Sequence, residues 1–234
     1  MAVRLLFPTI LFHRNLLQEG LCESRGVEQQ YLDQLVSEMD AMRRTDPLGR
    51  KVSNQYTGWQ SHDGCERHPA FTKLMNRIVQ TFNDEVLPFN GLDPKTAVVS
   101  ISNSWANIND HLAWNMPHLH SGCWYSGVFY IQADGDEGSL QMIETDPKVV
   151  SDFPHSQRAT SAHAFEPRSG ELILFPSGAM HMVEPNRTHK ERYSISFNII
   201  MNYKNNTANV GEIRNFNPDE FVFDLDVNGN PIMN

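Results

Sequence analysis

The segment NMPHLHSGCWYSGVFYIQ, residues 115–132, sets His118 and His120 one residue apart before an aromatic and β-branched run. Side chains two apart on a strand point to the same face. The two imidazoles therefore converge if this stretch is extended. Pro117 favours that geometry, because the residue before a proline is pushed out of the helical region. Two imidazoles on one face can share a metal ion. The plain alternative is a pair of exposed loop histidines. A third ligand has to come from elsewhere. His181 closes GELILFPSGAMH, after a buried-looking strand and a tight turn, and another strand follows. That placement could bring it to the same end of a β-core, although a single histidine is more often just hydrogen-bonded.

RYSISFNII, starting at Arg192, alternates in the same way. Arg192, Ser194, Ser196 and Asn198 share one face; Tyr193, Ile195, Phe197 and Ile199 share the other. If the polar face turns inward, Arg192 needs an anion, because a buried unpaired guanidinium is very costly. A carboxylate gripped by two parallel hydrogen bonds is the natural partner, and Ser194 could add another. If the polar face turns outward, it is merely solvated. NQYTGWQSHDG brings Asn54, Trp59 and Gln60 into a turn region of the kind that lines substrate pockets. A packed surface loop with a structural Trp explains it equally well. Trp105 and Asn107 alternate on a strand and could face a barrel interior, whereas Trp124 and Phe129 read as core. DLDVNG (224–229) begins like a calcium loop but lacks the closing Glu, so a turn is the better reading. Cys123 near His120 suggests zinc only weakly, with no second cysteine nearby.

The elements that must position these residues follow from periodicity. Tyr31, Leu32, Leu35, Met39 and Met42 recur at helical spacing within 27–44. Phe71, Leu74, Met75, Ile78 and Phe82 do so within 68–86. RLLFPTILFHRN reads as an opening strand edged by Pro8. Beyond Pro94, short apolar or alternating runs are separated by turn clusters such as ADGDEG, EPRSG and EPNRTHKE, which indicates a sandwich or barrel. YKNNTANVG (203–211) reads as a loop. The expected layout is a single domain over 1–234. Helices fall mainly within 27–86, the β-core at about 95–202, and a strand-and-turn extension at 203–234.

Composition narrows the function classes. The chain has 234 residues, 40% of them hydrophobic, enough for a sizeable core. Its net charge is −9, which argues against broad phosphate-backbone binding. Cys22, Cys65 and Cys123 are odd in number and widely spaced, which suits a reducing compartment rather than a disulfide framework. The N-x-T triplets at Asn186 and Asn205 carry no weight in that setting. MAVRLLFPTILF has no cleavage site and is broken by proline, and no run approaches the ~20 apolar residues of a membrane span. A cytoplasmic protein with no membrane partner is expected.

His-x-His, a distal His after a G-x-L-x-x-F-P strand, and Arg-x-Ser eleven residues beyond that His together resemble the iron(II)/2-oxoglutarate-dependent oxygenases. More closely, the chain resembles oxygenases of bacteria and marine phages. SNQYTGWQS (53–61), SWANIN (104–109) and HLH followed by SGVFYI belong to that likeness, which runs from about Leu6 to about Asn202. The resemblance implies a double-stranded β-helix, a jelly-roll (cupin-like) core, with iron at one mouth. It implies His118 and His181 as ligands, Arg192 with Ser194 on the far carboxylate of 2-oxoglutarate, and Tyr130 as a further co-substrate contact. Asn54, Trp59, Gln60, Trp105 and Asn107 are the substrate candidates. In the usual triad a carboxylate stands two residues after the first histidine; here it is His120. Asp110, Glu144 and Asp146 lack the right spacing to replace it, so His120 is retained as third ligand. The implied cofactors are Fe(II), 2-oxoglutarate and O2. The implied reaction hydroxylates an unidentified substrate, releasing succinate and CO2. Two rivals stay open: a three-histidine dioxygenase without 2-oxoglutarate, and a non-catalytic jelly-roll binding protein. Nucleic acid is not an expected partner, a homodimer stays open, and the compartment would be the cytoplasm of a bacterium or of a phage's host.

Overall fold

The computed structural model describes residues 9–19, 21, 28–145, 162–203, 224–225 and 231–232. Cys22, Val27, Asp146, most of the 203–211 loop and the calcium-like residues 226–229 lie outside these. In chain order, β1 (Phe12–Asn15) runs into α1 (Leu16–Glu19), and α2 (Glu28–Thr45) follows. The short strands β2 (Asn54–Gln55) and β3 (Trp59–Gln60) precede α3 (Thr72–Thr81) and α4 (Leu87–Phe89). Then come β4 (Ala97–Asn109), β5 (Trp114–His118), β6 (Tyr125–Gln132), β7 (Leu140–Ile143), β8 (Ala162–Phe165), β9 (Glu171–Pro176), β10 (His181–Val183) and β11 (Arg192–Tyr203). Last, β12 (Asp224–Leu225) pairs with β13 (Pro231–Ile232).

The strands form two antiparallel sheets. The major sheet has the order β1-β9-β6-β11-β4-β3, and the minor sheet β2-β5-β10-β7-β8. Tyr130, Ile173 and Phe175 of the major sheet pack against Leu140, Met142 and Val183 of the minor one. The other face of the major sheet is covered by helices. Leu32, Leu35 and Met39 of α2 and Leu74, Met75 and Ile78 of α3 join Ile108, Phe129, Leu174, Tyr193, Ile195, Phe197 and Ile199 in one core. This is the double-stranded β-helix expected from the sequence, with the apolar face of β11 under the helices and its polar face inside. Among the described residues, no helix is long and apolar enough to cross a membrane.

Three details depart from expectation. The helix expected over 68–86 is broken: 3-10 turns at Cys65–Arg67 and Pro69–Phe71 lead into α3, and a π-helical turn at Phe82–Val86 follows it. His68 is extended before Pro69, as a pre-proline residue should be. The π turn inserts one residue, so that Phe82 and Val86 are both buried. Secondly, the sheets are not confined to 95–202, since β1, β2 and β3 add edge strands. Thirdly, Trp124 is not core: it is 47% exposed, because it sits in the turn between His120 and β6, where its backbone is tied down to Ile199 and Ser177.

Candidate metal and anion site

His118 ends β5 and His181 begins β10, and the two are direct cross-strand partners. His120 lies just beyond β5, its backbone N–H held by the Ser177 carbonyl at 2.9 Å. The strand register thus brings together two histidines 63 positions apart in sequence, and the i, i+2 relation adds the third. One ring nitrogen from each of the three lies within 4.8 Å of the others. His118 Nδ1 donates to the Met116 carbonyl at 2.7 Å, and His181 Nδ1 to the Ala179 carbonyl at 2.9 Å. A carbonyl can only accept, so Nδ1 carries the proton and Nε2 keeps its lone pair. His120 is stacked between Trp105, at 5.7 Å, and His181, at 5.2 Å.

Burial keeps these rings neutral. It lowers His118 below the ordinary histidine value. With His118 as neighbour, it brings His120 to about 4 and His181 to about 3. Three neutral imidazoles with lone pairs in reach of one point suit a divalent transition metal. Neither Asp110 nor Glu144 joins the group, so among the described residues the donor set is three nitrogens and no carboxylate.

Inside the sandwich, a cavity of about 50 Å³ is lined by all three histidines together with Asn107, Asn109, Tyr130, Arg192 and Ser194. That is room for a small molecule, given that one water needs roughly 10–15 Å³. Arg192 is 2% exposed. Its Nη1 donates to the carbonyls of Glu137 and Gly138 at 2.5 and 2.6 Å. Gly138 has φ +89°, and a Cβ there would lie 2.3 Å from the Glu184 carbonyl oxygen, so only glycine brings this carbonyl up to the guanidinium. The buried Glu137 carboxylate faces the other way, accepting from the backbone N–H groups of Asp134 and Gly135. Tyr130 is fully buried, which pushes its hydroxyl up to about 12 and keeps it a donor.

On the other side of the histidines lies an open groove of about 280 Å³, lined by Gln60, Asn103, Trp105, Met116, Leu119 and Asn198 among others. Of the substrate candidates, Gln60 and Trp105 line this groove. Asn107 faces the inner cavity and donates to Ser196 Oγ at 3.0 Å. Asn54 and Trp59 line neither space. The Asn54 amide donates to the Arg50 and Gly58 carbonyls and closes its own turn. Trp59 sits in the helix-side core with its indole N–H on the Asp46 carbonyl. Asn109, the last residue of SWANIN and not among the sequence candidates, also lines the inner cavity.

A family model described as "Putative 2OG-Fe(II) oxygenase" matches residues 103–198, the span that holds all three histidines and Arg192. Among curated proteins no sequence match is found. Solved structures share the fold at low identity. A Pseudomonas putida prolyl-4-hydroxylase has TM-score 0.51 and 18% identity, over 80% of this chain and 91% of that one. HygX from Streptomyces hygroscopicus, solved with nickel and 2-oxoglutarate, has TM-score 0.54 and 11% identity over 82% of each chain. A Trichoplax adhaerens prolyl hydroxylase, in complex with a hypoxia inducible factor peptide fragment, has TM-score 0.53 and 13% identity over 81% and 83%. Family match over residues 103–198, β-helix architecture and a histidine cluster sharing a cavity with a buried arginine point the same way: the chain is similar to the iron(II)/2-oxoglutarate-dependent oxygenases.

Proposed function

We propose that this protein hydroxylates a substrate at a C–H bond, holding iron(II) on His118, His120 and His181 and 2-oxoglutarate between that metal and Arg192. The observation that carries the reading is the shared wall: the histidine cluster and the buried guanidinium line one small cavity. Bound there, iron(II) with 2-oxoglutarate and O2 supplies an oxidant strong enough to insert oxygen into a C–H bond, with succinate and CO2 released. The chain's own residues do the rest by position. The Nδ1 bonds of His118 and His181 fix both rings so that Nε2 needs no reorientation on loading. Arg192 grips the far carboxylate and so aims the keto-acid end at the histidines. Phe175, 4.7 Å from His181, and Trp105, stacked on His120, shield the ligands from water. The outer groove is the route for the primary substrate, which meets Gln60, Trp105, Met116 and Leu119 on its way to the histidines. The prolyl hydroxylases among the structural relatives make a peptide side chain one candidate class of substrate.

The all-nitrogen donor set favours one second reading, a metal dioxygenase that uses no 2-oxoglutarate. That chemistry leaves the buried Arg192 without a task. Succinate formation separates the two. Purified protein given iron(II), O2 and 2-oxoglutarate is expected to convert some of the keto acid to succinate even without primary substrate, and His181→Ala is expected to abolish it. Wild-type protein that consumes O2 on some substrate without forming succinate would overturn the proposal in favour of the second reading.

A further inference from the structure

Asn109 ends β4 opposite Arg192, its register partner on β11. Its side chain is 2% exposed and lines the inner cavity. Its Nδ2 is buried and has no hydrogen-bond partner among the described residues. The backbone carbonyl of the same residue accepts from the Asn186 amide at 3.0 Å. Folded chains leave few buried donors unpaired, because each loses its water without compensation. The neighbouring groups offer no relief. Arg192 and Tyr130 present donors to the same cavity, Ser194 adds a hydroxyl, and the Glu137 carboxylate is committed to its own turn. The arginine end of the cavity, walled mainly by donors, selects a group that only accepts, and an ionised carboxylate is such a group.

We propose that Asn109 is a second anchor for the far carboxylate of 2-oxoglutarate, its Nδ2–H donating to a carboxylate oxygen beside the Arg192 fork. This rests on Arg192 as carboxylate anchor and adds a specificity element to it. The amide discriminates a keto acid that carries a far carboxylate from one that lacks it.

The test compares two keto acids by calorimetry on anaerobic, iron-loaded protein. 2-Oxoglutarate carries the far carboxylate; pyruvate chelates through the same keto-acid end and lacks it. Asn109→Leu is expected to weaken 2-oxoglutarate about ten- to a hundredfold, the worth of a hydrogen bond to a charged group, and to leave pyruvate unchanged. The metal-free Asn109→Leu protein is also expected to melt no lower than wild type, since an apolar side chain of similar size replaces an unpaired amide. Asn109→Asp, which places a negative charge beside the ligand, is expected to weaken 2-oxoglutarate more than Asn109→Leu does. Unchanged 2-oxoglutarate affinity in both variants would overturn the inference, and so would an equal loss for both keto acids, which is the mark of a structural role. If wild type binds 2-oxoglutarate no better than pyruvate, the fault lies with the Arg192 reading itself.

Discussion

Three imidazoles within 4.8 Å of one another are tolerable in a folded chain only while uncharged. That condition sets a pH dependence. Unfolding releases His120 and His181 to the ordinary value of 6.5, whereas in the fold they sit near 4 and 3. From pH 6.5 downward the unfolded chain binds more protons, so metal-free protein loses stability as pH falls through that window. Denaturant midpoints at pH 7.5 and 5.0 should show the loss, and His181→Asn should show a smaller one; equal pH slopes would mean that the cluster is not dry. A second residue-scale expectation concerns Cys65. It is fully buried and its thiol is pushed up to about 11. At pH 8 it should be alkylated far more slowly than the half-buried Cys123, as site-resolved mass spectrometry would read; comparable rates would mean that β4 and the 65–67 turn open readily. At this scale the sequence was informative because alternation decides faces: His118 with His120, and Arg192 with Ser194, follow from period two. It was silent on Asn109 and Glu137, whose roles depend on which buried atoms find partners, and that is settled only by the opposing strand.

At the scale of elements, α2 and α3 exist to cover the apolar face of the major sheet. Leu35 and Ile78 are fully buried against it. Leu35→Ala should cost ~2–5 kcal/mol in chemical unfolding. A change under ~0.5 kcal/mol, typical of surface sites, would mean that α2 is not docked as described. The helix is also pinned by polar contacts: Tyr193 Oη lies 2.6 Å from Glu191 and 3.0 Å from Asp40, and Arg43 bridges the same two carboxylates. Gly127 in the middle of β6 faces Phe197 across the ladder, and a Cβ there would lie 2.5 Å from that ring. Gly127→Ala should therefore destabilise by ~1–3 kcal/mol through overpacking; wild-type stability would contradict the packing of Phe197. Both helices were legible from their stripes. The break around Pro69 and the π turn were not, because a stripe fixes which residues face the core and not how the backbone gets there.

At the scale of the whole molecule, function comes from two sheets meeting at one mouth. β5, β10 and the residues just beyond β5 on the minor sheet supply the histidines, while β4, β6 and β11 of the major sheet carry Asn109, Tyr130, Arg192 and Ser194. Counting short strands announced the jelly roll. Strand order could not be counted out, and neither could the recruitment of β1, β2 and β3 to the sheets, because pairing is decided by partners distant in sequence. The central claim is that one cavity serves both the metal and a dicarboxylate. Its most direct test is a 2-oxoglutarate titration of anaerobic, iron-loaded protein, followed by the metal-to-ligand absorption band. A saturable band is expected in wild type. The same band is expected in Arg192→Leu only at ten- to a hundredfold higher concentration, the ~1.5–3 kcal/mol of hydrogen bonds to a charged group, with iron stoichiometry unchanged. A wild type that binds iron and develops no band at any concentration would contradict that claim, as would an Arg192→Leu protein that titrates like wild type.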